Sequence, residues 1–216
     1  MPSAGFQRAR SAEAKHERET AILAAAARLG AERGIRQITL TDLAAAVDMH
    51  KSALLRYFET REQIFLRLTA TGWQEWSAAL LGRTRDLSPS RRTIDIAEAF
   101  AETLTARPLF CDLLAQAPLN LERNVSPEQV RAFKLVTHAQ VEAIVAELRR
   151  LRPDLRDIEA VDVIATATSM AGALWQMATP APEVRELYRS DPKLSLAVFD
   201  VTERLTRILT ALIDGY

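Results

Sequence analysis

Glycine and proline are scarce in this chain, at 7 and 9 of 216 residues. An all-β protein needs turns throughout, so the scarcity argues against one. A single cysteine, Cys111, excludes an intramolecular disulfide framework and any multi-cysteine zinc site. His16, His50 and His138 are too scattered to suggest a metal site. A Gly-rich phosphate loop, a His-Glu-x-x-His pair and a Gly-x-Ser-x-Gly elbow are all missing. Cys111 and His138 could serve as nucleophile and base, but nothing fixes their geometry, and a buried inert thiol explains Cys111 more simply. Neither catalysis nor a cofactor or metal is expected. No low-complexity block is present, and Met1 to Arg18 has no apolar stretch of the signal-peptide kind, so a cytoplasmic location is expected. Net charge is lacking too, with 28 Lys and Arg against 28 Asp and Glu.

What the chain has in quantity is alanine, at 36 positions, within a 48% apolar composition that can bury a core. An all-α fold is expected. Val163 to Pro182 is twenty residues without a charge, long enough to span a bilayer. Its Thr166, Thr168, Ser169, Gln176 and Thr179, and the acids Asp157, Glu159 and Asp162 just upstream, favour a buried helix and no membrane role. The zero net charge conceals a split. Residues 1–61 carry 10 basic side chains against 7 acidic ones, whereas residues 62–216 carry 18 against 21.

The basic segment is patterned. Ser11 can cap a helix reaching about Arg33, with Ile22, Ala25, Ala26 and Leu29 on one face and Gly34 ending it. Thr39 is a good N-cap for a short second helix. Asp42 lies in its first turn, and Leu40, Leu43, Ala44 and Val47 turn inward. Asp48-Met49 breaks the pattern, and a third helix from Lys51 to Tyr57 or Phe58 buries Leu54 and Phe58. Thr60 and Gln63 predict a capping box on a fourth helix. Two short helices joined tightly, with small Ala44 between them, describe a helix-turn-helix. Lys51, Ser52, Leu55 and Arg56 then share one outward face suited to a major groove. A plain three-helix bundle with a solubilising charged face fits the same pattern.

Residues 22–64 resemble the N-terminal domain of the TetR family of bacterial transcriptional repressors. The likeness rests on Ile22, Ala25-Ala26, Leu29, Gly34, Thr39-Leu40-Thr41, Leu43-Ala44 and the run from Met49 to Ile64. Departures stand at Asp48, where the family has Gly, and at His50 and Ser52, where it has Ser and Gly. Leu55 replaces a Tyr, Tyr57 a His and Arg61 a Lys. The resemblance implies an N-terminal three-helix DNA-binding domain followed by a C-terminal helical ligand-binding and dimerisation domain. The expected limits are a flexible N-terminal arm over residues 1–15, a DNA-binding domain over 16–76 with its motif at 39–58, and an effector domain over 77–216. Thr39, Thr41, Tyr57 and Arg61 are expected on phosphates, and Lys51, Ser52, Leu55 and Arg56 at base edges with His50 at the rim. Arg8 and Arg10 fit either a minor-groove arm or a solubilising tail.

Beyond residue 62 the chain reads as helices: to about Leu81, from about Arg91 to Ala106, from Leu109 to Ala117, from Ser126 to before Pro153, from Asp157 to about Ala178, and from about Lys193 to Ile213. Val161, Ile164, Thr168, Ala171, Trp175 and Ala178 form one apolar stripe, and Val198, Val201, Leu205, Ile208 and Leu212 another. Ala165, Ala167, Gly172 and Ala173 add small surfaces. A two-sided monomer core fits these stripes. A homodimer through a four-helix bundle fits them better, and the resemblance implies it, with two recognition helices meeting half-sites about 34–36 Å apart on palindromic double-stranded DNA. The family also carries an effector pocket in this domain. Candidate lining residues are Trp73, Trp76, Phe100, Phe110, Cys111, Leu114, Phe133, Thr137, His138, Met170 and Trp175, which suit an apolar or aromatic small molecule. Each is more often a core residue than a ligand contact, and His138 reads as an inner, satisfied histidine. The expected protein is a repressor released from its operator by that effector; an activator or an architectural DNA protein is the competing reading.

Overall fold

The computed structural model describes residues 4–89 and 92–216. Ala4, Gln7, Arg8 and Ala9 favour helix, and the first helix, α1 (Ala4–Arg33), runs back through them. The backbone is therefore helical seven residues ahead of the expected cap at Ser11, and the side chains of Arg8 and Arg10 lie outside those described. Ile22, Ala25, Ala26 and Leu29 are all buried, as their spacing predicts. Gly34 ends the helix at φ 78°, a left-handed conformation that a side chain would strain. One 3-10 turn, Ile35–Gln37, leads to α2 (Leu40–Ala46) and α3 (Lys51–Leu54).

Thr60 caps α4 (Arg61–Thr84), accepting the Gln63 amide at 3.0 Å. The return half of the expected capping box is displaced by one residue, because the Gln63 side chain accepts from Glu59 N at 2.6 Å. Helix α4 contacts α1 at its start, then α5 (Thr93–Thr105), α6 (Pro108–Gln116) and α7 (Pro127–Leu151), and so runs from the N-terminal head into the C-terminal body. Ser90 and Arg91, in the expected loop and helix start before α5, lie outside the described residues. A π-turn, Ala117–Leu121, follows α6. The rings of Trp73, Trp76, Phe100 and Phe110 meet where α4, α5 and α6 converge.

The last part holds α8 (Asp157–Ala178), α9 (Pro182–Ser190), a 3-10 segment (Pro192–Ala197) and α10 (Val201–Asp214). Helix α10 starts eight residues later than its apolar spacing suggests. Pro192 favours the 3-10 turns, and Asp200 caps the helix by accepting the Glu203 amide at 2.8 Å. Among the described residues α8 is the one helix long and apolar enough to cross a membrane, and half of its apolar window is buried inside the molecule.

The interior of the body corrects the expected dimer stripe. Ile164, Thr168 and Ala171 are buried under α6 and α10, and Val201 and Leu205 are buried against α5 and α8. The three-four spacing marks the face turned to the chain's own core. Gly172 belongs to that inward side: a Cβ there would stand 2.8 Å from Ala115 N of α6, closer than any side chain tolerates. Val161 and Val198 do remain exposed, and Ile208, Leu212 and Trp175 are half-buried.

Candidate nucleic-acid interface

The second and third helices are set by local chemistry. Thr39 accepts the Asp42 amide at 3.2 Å, and the Asp42 carboxylate accepts from Thr39 N at 2.8 Å and from its hydroxyl at 2.5 Å. Those donors, hydroxyl first, hold the Asp42 carboxyl below its ordinary range, with the Arg33 charge adding to the effect. The Thr39 hydroxyl proton is thus occupied in the cap. Thr41, next along α2 and exposed, is the α2 hydroxyl open to a phosphate.

Between the helices Asp48 takes φ 51°, the one non-glycine left-handed residue among those described. A short acidic side chain bears that conformation better than most, so the turn survives where the TetR pattern has glycine. Met49 N closes it on Ala44 O at 2.9 Å, with Leu43 and Ala44 buried beneath. His50 occupies the α3 N-cap without a side-chain hydrogen bond, the poor cap its chemistry predicts.

Leu54 and Phe58 anchor α3 and the turns that follow it in the core. Lys51, Ser52, Leu55 and Arg56 consequently stand together in solvent, and His50 is exposed at their edge. Leu55 is 40% exposed, notable for a leucine that has inward positions beside it. Tyr57 is half-buried against the core.

Arg61 departs from its expected place on a phosphate. Its guanidinium donates to the carbonyl oxygens of Ile35 and Ile38, pairs with Glu62 at 2.9 Å, and lies 4.7 Å from the Phe65 ring. The side chain sits at the start of α4 and reaches back under the 3-10 turn, where orphan carbonyls attract it more closely than solvent does. It fastens the head together.

Two polar links join this head to the body, and neither is in the expected site set. Ile35 N donates to Asp112 Oδ2 at 2.9 Å, while Gln176 Nε2 of α8 donates to Asp112 Oδ1 at 2.7 Å. Ser126 N, at the start of α7, donates to Glu59 Oε1 at 2.8 Å. The sequence signal for Asp112 is a lone carboxylate in the apolar run Leu109–Ala115, where an unpartnered charge could not be buried.

The expected effector residues are not gathered around one space. Trp76 lies with its ring centroid 5.3 Å from Trp73, 5.9 Å from Phe100 and 6.2 Å from Phe110, so these rings fill one another's surroundings. Cys111 is buried beside them, and burial, with the Asp112 charge, pushes its thiol up to about 12. Thr137 is buried and donates to Phe133 O of its own helix. His138 is exposed, which corrects its reading as an inner residue: one step off the α7 stripe turns it about 100° away from the core. Leu114 and Met170 are half-buried. Phe133 borders a hollow of about 280 Å³ between α4 and α7, and Trp175 borders a larger cleft of about 930 Å³ between head and body.

Comparisons with known proteins agree with this architecture. Residues 22–68 match the family described as bacterial regulatory proteins, tetR family, and residues 70–216 match the tetracyclin repressor-like C-terminal domain. A possible TetR family transcriptional regulator from Streptomyces coelicolor A3(2) shares the fold at a TM-score of 0.62. It is 21% identical over 91% of this chain and 97% of that one. Thermus thermophilus FadR, a TetR family repressor solved with lauroyl-CoA, gives 0.58 at 18% identity over 91% and 94%. The TetR family regulator PfmR, also from Thermus thermophilus, gives 0.54 at 20% over 89% and 97%. No curated protein sequence matches the chain.

Proposed function

The chain belongs to the TetR family of bacterial regulatory proteins and is a DNA-binding transcriptional regulator rather than an enzyme; from that premise we propose that it is a homodimeric cytoplasmic repressor, released from a palindromic operator by a small molecule. The observation that carries this reading is the solvent face of α3 and the turn after it. Helix α3 ends at Leu54, short of the expected Tyr57 or Phe58. Its Lys51 and Ser52 are exposed together with Leu55 and Arg56 of the turn that follows, over buried Leu54 and Phe58. Arg56 can take a guanine edge, Leu55 a thymine methyl, and Thr41 and Tyr57 the flanking phosphates. An N-terminal arm carrying Arg8 and Arg10 can add minor-groove contacts.

An operator footprint tests the reading. A discrete palindrome is expected, with affinity falling as salt rises at a slope of about −0.9 per phosphate neutralised. Arg56→Ala should weaken operator binding by about 1–3 kcal/mol and relax its sequence preference. Unchanged affinity on every sequence removes Arg56 from base reading, and diffuse protection of DNA favours an architectural protein.

The dimer reading is supported by the outward face of α8. Ile158, Val161, Ala165, Ser169, Ala173 and Met177 are exposed there, and Asp162 is the one exposed charge between Ile158 and Met177. Small and apolar side chains over five turns let two helices approach closely, and α10, packed on α8, carries half-buried Ile208 and Leu212. Sedimentation should show a dimer at micromolar concentration and a monomer for Ala165→Glu. A monomeric wild-type chain overturns the arrangement. Lauroyl-CoA in the Thermus thermophilus relative supports the small-molecule step by analogy of fold.

A further inference from the structure

The cleft of about 930 Å³ lies between head and body, bounded by the end of α1 and the 3-10 turn on one side and by α6, the end of α8 and the start of α9 on the other. Its volume is within the range of small-molecule sites. Arg33, Arg36 and Arg185 line it, as do the two carboxylates Glu32 and Asp112, leaving one net positive charge.

The carboxylates are already answered. Glu32 pairs with Arg28 at 3.3 Å, and Asp112 accepts from Ile35 N and Gln176. The guanidinium groups are answered less well. Among the described residues Arg33 stands 3.5 Å from Asp42, Arg185 donates only to Pro180 O at 3.3 Å, and Arg36 makes no ion pair. Beside them half-buried Trp175 and Leu109 give the cleft an apolar wall. An amphipathic anion matches both halves. The single net charge suits a monoanion better than a dianionic phosphate, whose second charge would stand uncompensated near Asp112.

We propose that this cleft binds a monocarboxylate with an aromatic or alkyl body, the carboxylate on Arg36 and Arg185 and the body on Trp175, and that its occupation clamps the head to the body. Arg36 belongs to the DNA-reading head and Arg185 to the body, so one carboxylate shared by both changes the freedom of one relative to the other. The binding step stands apart from the repressor reading; its effect on operator affinity rests on that reading.

Calorimetry on the full chain tests the site with 1-naphthoate, benzoate and octanoate as probes, and with 1-naphthamide and inorganic phosphate as controls. We expect 1-naphthoate to bind once per chain and to quench tryptophan fluorescence, with the quenching lost in Trp175→Phe. Arg36→Ala and Arg185→Ala should each weaken it roughly 10-fold or more, the loss of one charge-assisted hydrogen bond, without altering the circular dichroism or melting temperature. Naphthamide and phosphate should bind at least about 10-fold more weakly than naphthoate. The site is overturned if no carboxylate binds with a Kd below about 10 mM, if the arginine variants bind like wild type, or if phosphate binds better than every carboxylate. Operator affinity measured with and without naphthoate is a separate readout. Naphthoate binding that leaves it unchanged overturns the clamp, while a ligand-free chain that binds no operator overturns the repressor reading and leaves the site standing.

Discussion

Trp76→Ala is expected to cost about 3–5 kcal/mol of folding stability. Trp76 is fully buried at the meeting of α4, α5 and α6, with three aromatic neighbours in edge or tilted contact. Truncation removes the largest of the fully buried side chains and leaves a cavity whose walls are rings that cannot collapse into it. The indole N–H donates to Thr103 Oγ1 at 3.1 Å, and that hydroxyl also donates to Ala99 O at 2.6 Å. Thr103 therefore keeps a partner after truncation, and the loss is mainly one of packing. Trp76→Phe retains a ring and forfeits the hydrogen bond and part of the volume, so it should cost clearly less. Urea unfolding of the two variants separates the terms. Since domains have about 5–15 kcal/mol in total, the alanine variant should give up a large share of its stability at 25 °C. A loss below about 1 kcal/mol would show that the cluster is not the mechanical centre of the body.

Asp112→Ala is expected to lower stability by about 2–4 kcal/mol and to loosen the head selectively. The carboxylate is nine-tenths buried and accepts one hydrogen bond from the head and one from α8. Each hydrogen bond to a charged group contributes roughly 1.5–3 kcal/mol, and removal leaves the Ile35 amide without an acceptor in a buried setting. Asp112→Asn keeps the shape and an acceptor for Ile35 N, while its amide N–H can donate to Gln176 only once that side chain turns its amide over to offer Oε1. Hydrogen exchange at the Ile35 amide is the specific readout. It should accelerate strongly in Asp112→Ala and less in Asp112→Asn, while amides along α7 stay as they are. Equal acceleration everywhere would indicate a general loss of stability instead.

Much of this fold is legible in the sequence because local chemistry decides it. Gly34, Thr39 and Thr60 place helix ends, and the inward positions Ile22, Leu43, Leu54 and Phe58 follow from spacing alone. The outward α3 face follows as the remainder. Less legible is anything that depends on which neighbour covers an apolar stripe. Ile164, Thr168 and Ala171 look the same in sequence whether they face a partner or the chain's own α6 and α10. Arg61 and Asp112 were hidden for another reason. Their partners at the 3-10 turn are backbone groups, Ile35 and Ile38 carbonyls and the Ile35 amide, and a backbone group has no signature in a sequence. Tryptophans are ambiguous in the same way, since a ring that fills a core and a ring that lines a cavity have identical neighbours in the chain.

Gly172 has a bearing on how a signal could travel. Where it meets Ala115 the α8 backbone comes directly against the backbone of α6. Side chains between helices absorb small displacements by changing rotamer; at this one contact that compliance is missing. Helices α6 and α8 should thus move together at this point, close to where Asp112 and Gln176 join and the Ile35 amide is held. In the proposed dimer, a shift of α8 would pass at this contact straight to α6 and on to the Asp112 link with the head.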